Sequence, residues 1–189
     1  MFTEEKKNIC CFAGQRPDKL LDSYYETRDN CIKLKMRLAV EIEEMRGKGV
    51  TTFMTGMDMG TDIWCAEIVL DLKWAYPDEV IQLVAVLPRE NQAVRWIEKY
   101  RERYFDILAQ CDQVITLQAH YTKDCMFKRD RHLVDSSAHL IAVYGGEKGG
   151  AQHIFAYASR KGLEIVTVNP DTLAWEQIRQ SKKRDGIER

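Results

Sequence analysis

Three strand-like apolar runs each break at glycines and pass into a helix-like segment. This recurrence constrains the fold more than any other feature of the chain. The runs are Ile9–Ala13 into Gly14-Gln15-Arg16-Pro17, Thr52–Thr55 into Gly56-Met57-Asp58-Met59-Gly60-Thr61-Asp62, and Leu140–Tyr144 into Gly145-Gly146-Glu147-Lys148-Gly149-Gly150. A strand, a glycine turn and a helix start together make an anion site. Backbone N–H groups point outward there, and glycine lets the backbone approach a phosphate. Three such turns in a chain of 189 residues point to convergence on one ligand.

The whole chain alternates in the same way. Strand-like runs fall at about 8–13, 51–55, 80–87, 113–117, 139–144 and 164–168. Helix-like segments fall at about 26–47, 61–75, 92–109, 125–136 and 151–161, with a short helix from Pro170 to about 180 before a basic tail. Apolar residues recur at three- and four-residue spacing within the helices: Cys31, Leu34, Leu38, Ile42 and Met45 in the first, Ile63, Ala66, Leu70 and Trp74 in the second, and Val94, Ile97, Tyr104 and Leu108 in the third. Gly47 and Gly49 end the first and Pro77 stops the second. The expected fold is α/β, a Rossmann-like, mostly parallel sheet of six to seven strands with helices on both faces. The length suits one domain over 1–189, with an ordered core at about 8–180. Such sheets bind ligands beyond the carboxyl ends of the strands, where the strand order switches, and all three glycine turns lie at such ends.

Composition narrows the partners. The net charge of -1 gives no global attraction to nucleic acid or to an anionic membrane. The basic helical stretches, Arg95, Lys99, Arg101 and Arg103, then Lys123, Lys128, Arg129 and Arg131, are interleaved with Glu98, Glu102 and Asp130 and read as solvated faces. Nucleic acid is therefore set aside as a partner, and homo-oligomerisation is left open. No apolar run approaches the ~20 residues of a bilayer span, and no signal-peptide core follows Met1. Six cysteines, at 10, 11, 31, 65, 111 and 125, form no C-x-x-C pair and read as free thiols of a cytoplasmic protein. His120, His132, His139 and His153 form no ligand cluster, so neither a metal nor a cofactor is expected. The chain has no G-x-S-x-G turn to hold a nucleophilic serine.

The motifs resemble those of the YpsA-like branch of the SLOG superfamily over about 8–170. That superfamily also holds the Lonely Guy phosphoribohydrolases and the DNA-processing protein A domain. Gly14-Gln15-Arg16-Pro17 stands where the family reads G-H-R-P, and Gly56 to Asp62 followed by Trp64-Cys65-Ala66-Glu67 matches G-x-x-x-G-x-D with W-A-A-E. Pro88, Gln92 and Trp96 fit its P-x-x-x-Q-x-x-x-W stretch. Tyr121, Met126, Arg129 and Leu133-Val134-Asp135 fit Y…M…R-N-x-x-M-V-D, and Gly149-Gly150-Ala151 fits G-G-T. Three positions depart: Gln15 replaces His, Asp130 replaces Asn, and Ala151 replaces Thr.

The resemblance implies a nucleotide or nucleotide-derived small molecule, bound by a sensor or regulatory protein. The expected ligand contacts are Gly14, Gln15, Arg16, Gly56, Gly60, Thr61, Asp62, Arg129, Gly149 and Gly150. Arg16, at a strand end, suits two-pronged contact with phosphate. Arg129 is included for its family position, and Asp62 suits ribose hydroxyls better than phosphate. Trp96 and Tyr121 are aromatic candidates for stacking on a base. One alternative is an N-glycosidic hydrolase of nucleoside monophosphates. The Lonely Guy enzymes carry a glutamate after P-G-G-x-G-T, but the segment Ala151–Ala158 has no carboxylate, so Asp62 or Glu67 would have to act. A second alternative is single-stranded DNA binding, by analogy with DNA-processing protein A.

Overall fold

A computed structural model describes residues 4–16 and 26–178. Pro17 of the first turn and the basic tail lie outside the described residues. The strands are β1 (Ile9–Ala13), β2 (Thr52–Thr55), β3 (Gln82–Leu87), β4 (Gln113–Thr116), β5 (His139–Val143), β6 (Glu164–Val168) and β7 (Trp175–Ile178). The helices are α1 (Glu4–Lys7), α2 (Asp29–Gly47), α3 (Thr61–Ala75), α4 (Glu98–Leu108), α5 (Cys125–Ser136) and α6 (Gly150–Lys161). The sheet order is β4-β3-β2-β1-β5-β6-β7. All neighbours are parallel except β6 and β7. The order reverses between β1 and β5, which leaves a crevice beyond their carboxyl ends.

Strand alternation supplies two cores, one on each face. On β1, Cys10 and Phe12 join one core while Cys11 and Ala13 join the other. On β5, Ile141 and Val143 face the first and Leu140 and Ala142 the second. Side chains on a strand point alternately to opposite faces, so a near-continuous apolar run is what a doubly covered strand requires. The first core takes Cys31, Leu34, Leu38, Ile42 and Met45 of α2, as their spacing foretells. The second takes Leu133 and Val134 of α5 and Ile154 and Ala158 of α6.

Three expectations need correction. The third helix starts at Glu98 rather than near 92, and Val94 and Ile97 are exposed. Gln92 is buried instead, and its Nε2 donates to the carbonyls of Gly56 (3.2 Å) and Met57 (2.8 Å). That tertiary bond holds the stretch before α4 in turns. Trp74, expected on the apolar face of α3, is 86% exposed, and the N-terminal turns of that helix carry the burial. The segment after β6 is not a helix from 170. Asn169 Oδ1 accepts the N–H groups of Asp171 and Thr172, which turns the chain. The returning residues then pair with the open edge of β6, Val168 opposite Trp175, as antiparallel β7.

Candidate functional site

The turn after β2 is built around close contacts that two glycines permit. A side chain on Gly14 would begin 2.2 Å from Thr61 Oγ1, so Gly14 lets the first turn of α3 lie against the end of β1. A side chain on Gly56 would begin 2.8 Å from Asp62 Oδ2 and 2.9 Å from Arg129 Nε. Gly60, with φ 91°, occupies backbone space that residues with a Cβ rarely adopt. Side chains then tie the turn down. Thr55 donates its hydroxyl to the Asp62 carbonyl at 3.1 Å and accepts the Met57 N–H at 3.1 Å. Asp62 Oδ2 accepts the Asp58 N–H at 3.2 Å.

Beneath the crevice lies a buried cluster of charge. Arg129 on α5 donates from Nη2 (2.7 Å) and Nε (3.0 Å) to Asp130 Oδ1, and from Nη1 to the Gly56 carbonyl at 3.3 Å. Its Nη1 also lies 3.6 Å from Asp58 Oδ2. Burial alone would lower the Arg129 pKa, but Asp130, Asp62 and Asp58 outweigh it and hold the guanidinium charged. Burial pushes Asp62 up to about 7, against the pull of Arg129 and with Asp58 adding to the rise. Burial likewise raises Asp130, partly offset by Arg129.

Above this cluster is a cleft of about 310 Å³. Gly14, Gln15 and Arg16 form one wall, Asp58, Arg129 and Asp130 the floor, and Glu147 to Ala151 the opposite wall. Arg16, half-exposed, makes two bonds to Asp58 Oδ2, at 2.9 and 3.1 Å. Gln15 Nε2 donates to Glu147 Oε2 at 2.6 Å, linking the two walls. Helix α6 opens at Gly149 with no side-chain cap, and Gly149, Gly150 and Ala151 all border the cleft. Its first N–H groups have no partner within the helix and form a donor set for an anion.

The three turns expected to converge do share this cleft, but their residues divide. Gly14, Gln15, Arg16, Arg129, Gly149 and Gly150 border it. Gly56, Gly60, Thr61 and Asp62 are buried behind the floor. Asp62 spends a carboxylate oxygen on the turn, is only 7% exposed and does not border the cleft. Asp58 presents the carboxylate of this turn instead. Glu67 stands elsewhere, in a second depression, where both its oxygens accept from Arg103. Neither acid named for glycosidic cleavage therefore lines the cleft. Asp58, Glu147 and Ile154 escaped the sequence reading; the first two sit inside the glycine turns, which was the available signal. Trp96 packs edge-on against buried Tyr104 at 5.2 Å as part of the core. Tyr121 is exposed, with Arg89 over its ring.

A doubly covered, mostly parallel sheet whose strand order switches between β1 and β5 defines a Rossmann-like fold. A family model described as "YspA SLOG family" matches residues 10–173. The chain belongs to this YpsA family of SLOG proteins. It is 28% identical over 149 residues to a UPF0398 protein of Halalkalibacterium halodurans, covering 75% of this chain and 78% of that one. It is 30% identical over 139 residues to a UPF0398 protein of Bacillus thuringiensis, covering 71% and 72%. Two solved proteins share the fold. DNA processing protein A of Streptococcus pneumoniae superposes with a TM-score of 0.59 at 11% identity, covering 89% of this chain. That of Helicobacter pylori superposes with 0.60 at 15%, covering 87%. The chain spans 52% and 66% of these two proteins' lengths.

These neighbours correct one expectation. Net charge set nucleic acid aside, yet the Helicobacter pylori protein is described by its single-stranded DNA binding mode. Whole-surface charge does not fix the field inside one cleft, so a nucleic-acid partner is compatible with this fold. Among the described residues, no helix is long and apolar enough to cross a membrane.

Proposed function

We propose that this chain binds a phosphate-bearing, nucleotide-derived small molecule in the switch-point cleft, as a sensor or regulatory protein. The observation that carries this reading is the uncapped start of α6 facing Arg16 across one cleft. The phosphate takes the free N–H groups of Gly150 and Ala151 and the Arg16 guanidinium. Arg16, itself half-exposed, pairs with the mostly buried Asp58, which keeps Arg129 at 3.6 Å when Arg16 turns to phosphate. Asp58 and Asp130 are then placed to accept sugar hydroxyls. The hydrolase reading has less support, because Asp62 and Glu67 stand outside the cleft.

Calorimetry with AMP on the Arg16→Ala variant tests the proposal. Loss of a charge-assisted, two-pronged contact weakens binding about 10- to 100-fold. Arg16→Lys restores part of it, since it supplies charge without the planar fork. The melting temperature without ligand hardly moves. Unchanged affinity in the folded Ala variant would overturn the reading.

Single-stranded DNA is the second reading, favoured by the Helicobacter pylori neighbour. The same N–H groups would take a backbone phosphate. Anisotropy with a labelled oligonucleotide of about 20 bases separates the two. Binding far tighter than AMP, falling steeply with salt, selects DNA.

A further inference from the structure

A second cleft, of about 510 Å³, opens beside the first at the same end of the sheet. Its lining is of a different kind. Tyr144, Phe155 and Trp175 border it. The Tyr144 and Phe155 rings lie 5.3 Å apart and tilted by 30°. Trp175, at the start of β7, is 48% exposed, and the Arg37 guanidinium sits 4.9 Å from its ring centre and steadies it. None of these three rings drew notice as sequence.

Gly145 stands where the two clefts adjoin. A side chain on Gly145 would begin 2.7 Å from Glu147 Oε1, which belongs to the first cleft, and 3.3 Å from Asn169 Nδ2, which belongs to the second. On α6, Ile154 borders the first cleft and Phe155 the second. The clefts thus meet along α6, with its N-terminal residues Gly149, Gly150 and Ala151 bordering the first. Asn169 also has a fixed orientation. Its Oδ1 accepts two backbone N–H groups, so the end turned toward Gly145 is the NH₂ donor. Glu176 adds an acceptor to the same cleft.

The two linings are complementary in chemistry. Arg16, Asp58, Arg129, Asp130, Glu147 and Lys148 give the first cleft groups for phosphate and hydroxyls, but its lining includes no aromatic ring. The second offers aromatic faces with a donor and an acceptor at hand. Resting on the nucleotide reading above, we infer that the Tyr144–Phe155–Trp175 cleft is a base-binding subsite for the ligand whose phosphate sits at the start of α6. A nucleobase stacks on the rings there and presents its polar edge to Asn169 and Glu176. Stacking of this kind tolerates any base, because every base has a π face.

Titration calorimetry with AMP and with ribose 5-phosphate tests this on the full chain. AMP binds tighter than ribose 5-phosphate by about 5- to 100-fold, the usual worth of one stacked base. Trp175→Ala removes most of that advantage and leaves ribose 5-phosphate affinity unchanged, while Trp175→Phe keeps most of it. Tyr144→Ala acts like Trp175→Ala; because Tyr144 packs on Phe155, its melting temperature is measured alongside. Trp175 is exposed, so its replacement leaves the fold intact. If the AMP advantage survives both Ala variants while Arg16→Ala weakens both ligands, the base subsite is overturned and the phosphate reading stands. If AMP binds no tighter than ribose 5-phosphate in the wild type, the subsite is likewise overturned. Failure of both ligands to bind overturns the phosphate reading and the subsite together.

Discussion

Arg129 and Arg103 each hold two or more carboxylates, and their surroundings make them opposites. Arg129 lies under the switch-point cleft among Asp58, Asp62 and Asp130, with its side chain 7% exposed. Arg103 lies on α4 and binds Glu67 of α3 and Glu26, with its side chain 21% exposed. In the first cluster, burial dominates and lifts Asp62 to about 7. In the second, burial also pushes Glu26 up, but hydrogen bonds from Arg103 and Lys35 outweigh it and pull the carboxyl down to about 2. The same ion types are therefore held under tension at the strand ends and relaxed on the helix layer. The carboxylates of the first cluster cannot all be solvated. The carboxylates of the second are satisfied by a partly exposed guanidinium on the helix layer.

The largest expected effect comes from Arg129→Ala. Removing the buried guanidinium strips Asp130 of its ion-pair partner while Asp58 keeps Arg16, which costs about 3–5 kcal/mol. Urea unfolding measures it. A loss under about 1 kcal/mol would mean that the cluster is solvated and the contrast false.

The next effect is in pH dependence. Asp62 binds its proton more tightly folded than unfolded, since its ordinary value is 3.8. Its contribution to stability is complete below about pH 4 and is lost as pH rises through about 7. Asp62→Asn stays neutral and retains an acceptor for the Asp58 N–H. The wild type should therefore lose, between pH 5 and pH 8, on the order of 2 kcal/mol relative to Asp62→Asn. Parallel curves for the two proteins would sink this assignment.

Glu26 has the opposite sign. Its depressed pKa stabilises the fold above about pH 4.5, and this is lost as pH falls toward 2. Solvent screening limits the effect to about 1 kcal/mol. Glu26→Gln should flatten the acid limb of the stability profile and leave the limb above pH 5 unchanged. An acid limb as steep as that of the wild type would contradict the role given to Arg103.

The smallest effect is expected at Glu67. Glu67→Gln keeps a hydrogen-bond acceptor for Arg103 and should shift stability by about 0.5 kcal/mol or less. AMP affinity should not change, because Glu67 lies outside the cleft. A change in affinity above about threefold would join the two clusters functionally and break the comparison.

The chain announces most of this fold because its signals are local. Helix α5 at Cys125–Ser136 and strand β6 at Glu164–Val168 stand where periodicity puts them, since 3.6-residue and two-residue periods are properties of a segment by itself. The YpsA family was equally legible, because its motifs lie in short turns. That Arg16 and the Gly149-Gly150 turn border one cleft was legible for the same reason: position at the end of a strand is a local fact.

Tertiary structure decided what local signals could not. Residues 170–178 follow the open edge of β6 rather than helical preference, because pairing satisfies backbone groups a short isolated helix would leave to water. Gln92 leaves the helix it was assigned to because two carbonyls of a distant turn claim its amide. The choice between Asp58 and Asp62 depends on the Gly60 backbone and on a carboxylate packed under Gly56, neither visible in the G-x-x-x-G-x-D spacing. Tyr144, Phe155 and Trp175 are scattered over some thirty residues and read as ordinary apolar positions. Only the β5–β6–β7 arrangement, fixed by long-range pairing, gathers them around one cleft.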